Sequence, residues 1–459
     1  MSHSLSYKRI LMMVLLVGVI SGLGATLFFK GVELCSELIL TGILGYEFPM
    51  EGETVAEAVL WTVPGNIWLI LPILIGGALI SGLIVWKFAP ETEGHGTDAA
   101  LKSYHSDGKI RRRVPLVKAI SAIITISSGG SAGCEGPTAQ ISAGFGSIIS
   151  DVFKFTPEER KMAIAIGIGA GVGAIFKAPI GGALLAAEIL YLRDCKPVVF
   201  FPALLASCIG YAIFGFFFGY SPLFSTIEMD WSAMQLPLFL VLGLLAAGMG
   251  ILYIKSFYGT KKIFDRMEVK WHIPKYLKPV IGAAIMGLII IAMAYIAPEA
   301  LIAGIGCLGT GYGFVQLTLF NMLPLATLLI LPFAKILCTS LTIGSGASGG
   351  VFAPGLSIGA FTGAAFALCL NMLFPAYVPL SSVPLFAIIG MIAMFGGVSH
   401  APFAILIMVI EMTGSLTVLI PAILAVIICC LLMRNITIFK QQRISETDNQ
   451  LAGDLKENR

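Results

Sequence analysis

Apolar residues run along this chain in stretches long enough to cross about 30 Å of hydrocarbon near 10–43, 65–88, 197–219, 236–257, 279–297, 324–343 and 415–433. Each predicts a membrane helix. Between them lie shorter apolar pieces, interrupted by Gly, Pro or Ser, near 114–127, 137–153, 160–175, 178–192, 301–321, 351–374, 384–397 and 401–412. These predict helices that stop partway across the bilayer. A broken backbone is tolerated in lipid only where protein buries it or it lines an aqueous cavity, so the many breaks point to a transport protein rather than an anchor.

Composition agrees with that pattern. The 459 residues are 57% hydrophobic and only 12% charged, with a mean hydropathy of +0.92, whereas roughly a quarter of the residues of a soluble domain are charged. From Pro279 to Met433 the only charges are Glu299, Lys335 and Glu411, which leaves no solvated shell. The net charge of +3 is small and scattered, so no nucleic-acid partner is expected. Cysteines 35, 134, 195, 208, 307, 338, 369, 429 and 430 form no CxxC pair and read as small core residues, with no metal site. The amino-terminal apolar run is too long for a signal peptide and reads as the first membrane helix.

Loop charge sets the expected orientation. Lys255 to Lys278 carries seven Lys or Arg against Asp265 and Glu268, and Lys109 is followed by Arg111, Arg112 and Arg113; both regions should be cytoplasmic. The acidic loops near Glu47 to Glu57 and around Glu228 and Asp230 should face outward. The polar tail after Arg434 is short, so no sizeable regulatory domain is expected there.

An internal repeat is visible. APIGGALLAAE places Glu188 nine residues after Pro179, and APFAILIMVIE places Glu411 nine residues after Pro402, at an offset of 223. Upstream, SAGCEGPTAQISAGFG from Ser131 matches SGGVFAPGLSIGAFTG from Ser348 at an offset of 217. The expected domain is therefore one transmembrane unit over 1–434, with halves at about 60–220 and 236–434. Residues 435–459 follow as the start of a terminal pore helix and a tail. Discontinuous segments at matching positions of two halves point to a midplane binding site.

Three glycine-rich breaks carry the chemistry: Gly94-His95-Gly96-Thr97, Gly133-Cys134-Glu135-Gly136-Pro137, and Gly344-Ser345-Gly346 running on to Gly349-Gly350-Val351-Phe352-Ala353-Pro354. Proline after glycine suits the first turn of a helix. Several helix amino termini converging at the midplane would hold an anion on N–H groups and helix dipoles, weakly enough for release. The glycines at 167, 169, 171 and 173 fit close helix packing as well as a break. Glu135, a carboxylate in an apolar glycine-flanked segment, marks an ion or proton path and would compete with the anion as a gate; its bland alternative is a buried ion pair with a base such as Lys335. Glu188 and Glu411 read mainly as structural acids, with Glu188 kept as a proton-path candidate. His95 is either an N–H donor to the anion or a loop residue, and His3, His105, His272 and His400 read as surface or interface positions. With no GxxxxGK[ST] or HExxH, neither a nucleotide site nor an enzyme is expected.

These motifs resemble the CLC family of chloride channels and proton-coupled chloride exchangers. GCEGP at 133–137 is similar to its G(K/R)EGP, GGVFAP at 349–354 to its GxFxP segment, and GHGT at 94–97 stands where the family has GSGIP. Lys335 with Thr339, Thr342 and GSG at 344–346, the two Ala-Pro helices, and TIFKQQ at 437–442 complete the likeness, which runs from about residue 90 to 442. It implies an all-α polytopic fold, an inverted repeat of many tilted and discontinuous helices, and a homodimer with a pore in each subunit. It also implies an inner-membrane location with both termini cytoplasmic, and bound chloride or bromide without any cofactor. Its anion-binding set falls on His95, Gly96, Gly133, Cys134, Gly350, Val351, Phe352, Ala353 and Phe439, with Glu135 as the external gating glutamate and Phe439 arriving from the last helix. Cys134, Phe439 and His95 depart from the family's usual Lys or Arg, Tyr and Ser. Exchangers carry a second acid after the Ala-Pro helix, where this chain has Ile189. That favours a passive, gated chloride pathway, with a chloride/proton antiporter using another inner proton route as the alternative.

Overall fold

The structure, a computed structural model, describes residues 7–227 and 229–445. His3, Glu228 and the tail beyond Ser445 lie outside the described residues. Helix α1 (Tyr7–Ser36) runs on into π-helical turns to Ile43 and is followed by a single turn, α2 (Val55–Ala58). The chain then forms α3 (Ile70–Phe88), α4 (Thr97–His105), α5 (Val114–Ser127), α6 (Glu135–Val152), α7 (Pro157–Ile175), α8 (Pro179–Glu188) and α9 (Pro197–Phe218). The second half comprises α10 (Leu236–Trp271), α11 (Lys278–Ala294), α12 (Pro298–Ile305), α13 (Tyr312–Leu319), α14 (Leu325–Ile343), α15 (Phe352–Leu373), α16 (Val383–Ser399), α17 (Pro402–Thr413) and α18 (Leu419–Leu432). Among the described residues eight helices are long and apolar enough to cross a membrane, and the protein is an integral membrane protein.

The helices divide into two similar sets. α1 packs on α7 and α9 as α10 packs on α16 and α18, and α6 lies on α7 as α15 lies on α16. α1 packs among the first set of helices as α10 does among the second. Gly133 and Gly350, related by the 217-residue offset, bond to each other antiparallel, Gly133 N–H to Gly350 O at 2.8 Å and Gly350 N–H to Gly133 O at 2.7 Å. Two equivalent residues paired in this reciprocal way place the approximate two-fold axis of the repeat between them.

Several expected segments differ in form. The pieces near 351–374 and 384–397 are long single helices, because their glycines and proline fall in the first turn or face a neighbouring helix. Conversely, 301–321 splits into α12 and α13 around Gly309 and Gly311, both at positive φ, and α18 has only 14 residues. The basic run from Lys255 is no loop: α10 continues through it to Trp271, and Lys261, Asp265 and Glu268, at helical spacing, face one cavity. The terminal pore helix expected after residue 434 does not form in the described part, where 435–445 is held as turns by Thr437 and Gln442. The Thr437 hydroxyl accepts from Phe439 N–H (3.1 Å) and donates to Gln442 Oε1 (2.7 Å), while Gln442 Nε2 donates to Ser399 O (2.9 Å). The glycine run in α7 serves packing: a Cβ at Gly167, Gly169 or Gly173 would lie 2.4 Å from Ser142 O, 2.8 Å from Gly182 O or 2.0 Å from Ser207 Oγ, on α6, α8 and α9 respectively.

The Ala-Pro helices cap each other. Glu411 at the far end of α17 accepts from Ile180 N–H (3.1 Å) and Gly181 N–H (2.7 Å) at the start of α8, and Glu188 at the end of α8 accepts from Ala404 N–H (2.9 Å) at the start of α17. Gly181 and Ala404 are themselves related by the repeat. A carboxylate on a helix amino terminus gains from both charge-assisted bonds and the dipole. Glu411→Ala, which frees two N–H groups, should therefore destabilise by roughly 2 kcal/mol and Glu188→Ala by about half as much, while Glu411→Gln keeps an acceptor and costs less. Thermal unfolding in detergent reads this order, and native melting of Glu411→Ala would remove the cap from the account.

Candidate anion site

Four helices begin around one point: α4, α6, α13 and α15. The antiparallel Gly133–Gly350 pair sets α6 against α15. Gly349 N–H bonds Gly94 O at 3.3 Å, which draws in the loop leading to α4, and Ala132 N–H bonds Gly309 O at 3.1 Å, which draws in the loop leading to α13. The crossing needs glycine, since a Cβ on Gly136 would lie 2.1 Å from His95 O and one on Gly350 2.7 Å from Gly133 O. The first N–H groups of each helix have no partner within it, so the centre is rich in donors and positive dipole ends.

Two buried lysines brace this arrangement; the sequence offers Lys335 only as an ion-pair partner for Glu135 and points to no role for Lys118. Lys118, fully buried in α5, donates to Thr92 O (3.0 Å) and Gly94 O (2.7 Å); Lys335, fully buried in α14, donates to Cys307 O (3.0 Å) and Gly309 O (2.9 Å). The lysines are 217 residues apart and the carbonyl pairs 215 apart, so each half uses one ammonium to hold its Gly-x-Gly loop. Both are lone cations in apolar runs at the repeat offset, and Gly309-x-Gly311 repeats Gly94-x-Gly96, so the signal was present in the sequence.

Glu135 is the first residue of α6 and 2% exposed. Its Oε1 accepts from the Tyr312 hydroxyl at 2.7 Å and its Oε2 from Ala353 N–H at 3.3 Å. It is not paired with Lys335, whose bonds go to the carbonyls. The carboxylate thus sits on a helix-start N–H of α15. Tyr312, first residue of α13, was not anticipated. Val351 O takes the Tyr253 hydroxyl at 2.9 Å, and the Phe352 ring turns onto Phe395, 4.2 Å between centroids, leaving the backbone of that turn facing the centre.

Two cavities approach from different sides. One of about 90 Å³ is lined by Glu33, Glu51, Tyr46, Cys134 and the Gly309–Gly311 loop. Burial, reinforced by Glu53 and Glu33, pushes the Glu51 carboxyl up. The other, of about 330 Å³, reaches His95, Gly96, Gly344 and Gly346 between Glu93, Asp98 and the charged face of α10. The ring of Phe439 lies fully buried with its centroid 5.7 Å from that of His95, so the turn segment at 437–442 brings it beside His95 without a helix. Glu188 lies away from both linings, engaged with Ala404, and Ile189 is 1% exposed.

Buried half-helix starts around an acid, inside a polytopic bundle with a cavity on either side, define an anion-transport protein. A family profile described as voltage gated chloride channel matches residues 77–434, and the chain belongs to that family, the CLC proteins, and to its anion transport. The H(+)/Cl(-) exchange transporter ClcA of Yersinia pseudotuberculosis is 28% identical over 418 residues, covering 90% of this chain and 82% of that protein. An uncharacterised protein of Methanocaldococcus jannaschii is 29% identical over 376 residues, covering 82% and 87%. Among solved structures, a slow cyanobacterial Cl-/H+ antiporter superposes with a TM-score of 0.77 at 26% identity, covering 98% of this chain and 99% of its own. A CLC-type fluoride/proton antiporter shares the fold, with a TM-score of 0.78 at 20% identity over 96% of this chain and all of its own.

Proposed function

We propose that the protein exchanges chloride for protons across the membrane, with Glu135 as the shared gate. The observation that carries this reading is the Ala353 N–H bonded to the Glu135 carboxylate: the side chain takes a donor that a transported anion needs, so occupancy by anion and protonation of the acid are linked. Protonation removes the carboxylate's charge and weakens its hold on the helix starts, opening the seat to chloride or bromide. The anion is held by backbone of Gly96, Gly133, Cys134, Gly350, Val351, Phe352 and Ala353, flanked by His95 and Phe439, with no cofactor or nucleotide in the cycle. The relatives and neighbour named as chloride/proton exchangers support this over the passive pathway that Ile189 suggests, and they move the question of the inner proton route away from that position.

The same reading places the protein in the inner membrane with the basic face of α10 and both termini cytoplasmic, and as a homodimer. Ile180 and Phe403, at the starts of the paired helices α8 and α17, are 46% and 66% exposed, an apolar surface suited to a second copy and to lipid. Exchange is tested in liposomes: an imposed chloride gradient should drive protons uphill in the opposite direction. Chloride flux with no accompanying proton movement would return the passive reading.

A further inference from the structure

The exchanger reading leaves a proton without an inner carrier, because Ile189 is aliphatic and Glu188 is committed to the start of α17. The wall of the larger cavity offers a different group. His95 is 6% exposed, and its Nδ1 is buried with no protein hydrogen-bond partner. Its Nε2 lies 3.3 Å from Asp98 Oδ2, and the other oxygen of Asp98 accepts from Gln441 N–H at 3.1 Å. A carboxylate oriented by a third group and holding one imidazole nitrogen leaves the other nitrogen uncommitted to any protein partner. The rings of Phe439 and Phe257, with centroids 5.7 and 6.1 Å away, confine it.

We propose that His95, braced by Asp98, carries protons between the larger cavity and Glu135. This rests on the exchanger reading. A hydrated proton enters from the cavity on the Asp98 side, forming an Nε2–H bond as its O–H bond breaks, and Asp98 offsets the imidazolium charge. The buried Nδ1–H then gives its proton to the Glu135 carboxylate, forming the acid's O–H and restoring a neutral ring. The two residues are backbone neighbours, since the His95 carbonyl abuts Gly136, next to Glu135.

The charged groups around the ring leave room for such a cation. Besides Asp98, the ring's own loop and α5 contribute Glu93 and Lys118, the latter occupied by Thr92 O and Gly94 O. Across the cavity α10 presents Lys261, Asp265 and Glu268, and the start of α11 presents Lys275 and Lys278. Lys278 is held by Glu268 at 2.7 Å, Asp265 at 3.4 Å and Glu93 at 3.5 Å, so acids and bases offset one another across the space. The neighbouring histidine on α4 does not share this role: His105 bonds Leu190 O at 2.9 Å, and burial pushes it down to about 4.

The test measures protons moved per chloride in liposomes, a ratio that does not depend on how much protein folds or how fast it turns over. In His95→Gln, whose amide bonds but does not titrate, the ratio should fall by roughly tenfold or more. Should that variant fail to fold, Asp98→Asn reads the same point. It keeps an acceptor for the ring but removes the negative charge beside it, so the protons moved per chloride should fall severalfold. A native ratio in His95→Gln, or in Asp98→Asn, overturns the proposal while leaving the exchanger reading intact. Absence of uphill proton movement in the native protein overturns both.

Discussion

Glu135→Gln should transport chloride with little response to pH and should move no protons against their gradient. Glutamine has nearly the shape of a protonated glutamate and carries no charge, so it imitates the state in which the side chain has given up the anion seat. In the native protein, acidification protonates the acid and frees Ala353 N–H and the other donors of the α15 start, so chloride flux should rise as pH falls. With glutamine both states collapse into one. Proton movement should drop to background, at least roughly a hundredfold below the native rate, because the link between anion occupancy and protonation is gone. Chloride flux and internal pH recorded together across a pH series check this, and a variant that keeps the native pH profile would remove Glu135 from the role of gate.

Lys118→Met should weaken chloride binding far more than its conservative volume suggests. Methionine fills much of the same space but leaves Thr92 O without a donor and Gly94 O with only the Gly349 N–H, at a cost of about 1–3 kcal/mol for the buried carbonyl left bare. It also removes a positive charge from behind the start of α4. The Gly94–Gly96 loop then loses the brace that sets His95 and Gly96 at the centre, and chloride affinity measured by calorimetry in detergent should fall by roughly tenfold to a hundredfold. Lys335→Met makes the same lesion in the other half with a different consequence. It loosens Gly309–Gly311 and hence Tyr312, so the Glu135 carboxylate loses a held partner and the pH response, rather than the affinity, should change first. Native chloride affinity in Lys118→Met would mean that the buried ammonium only completes the fold.

Much of this architecture was legible in the chain because the signals are local. Glycine followed by proline marks a helix start within three or four residues, and α6 and α15 begin at Glu135 and Phe352 as those motifs require. A lone acid or base in an apolar run is costly enough to be noticed, which singled out Glu135 and should have singled out Lys118. The repeated Ala-Pro-x8-Glu unit exposed the two halves. A long apolar helix such as α15 or α16 was harder to read, since a glycine that breaks one helix lets another pack closely, and the residue type is the same.

What the sequence alone determined is therefore the class of structure, the polytopic helical bundle with internal symmetry, and the elements whose ends carry chemistry. Which ends meet was decided by tertiary packing. Glu135 reaches Tyr312 across 177 residues, Glu188 and Glu411 exchange helix starts across more than 200, and Asp98 meets Gln441 across 343. Phe439 arrives beside His95 on a turn rather than a helix. Helix starts and apolar periods are written within one or two turns of chain, whereas each of these contacts follows from the way glycine-lined helices close on one another around the two-fold axis, and no local window of sequence contains both partners.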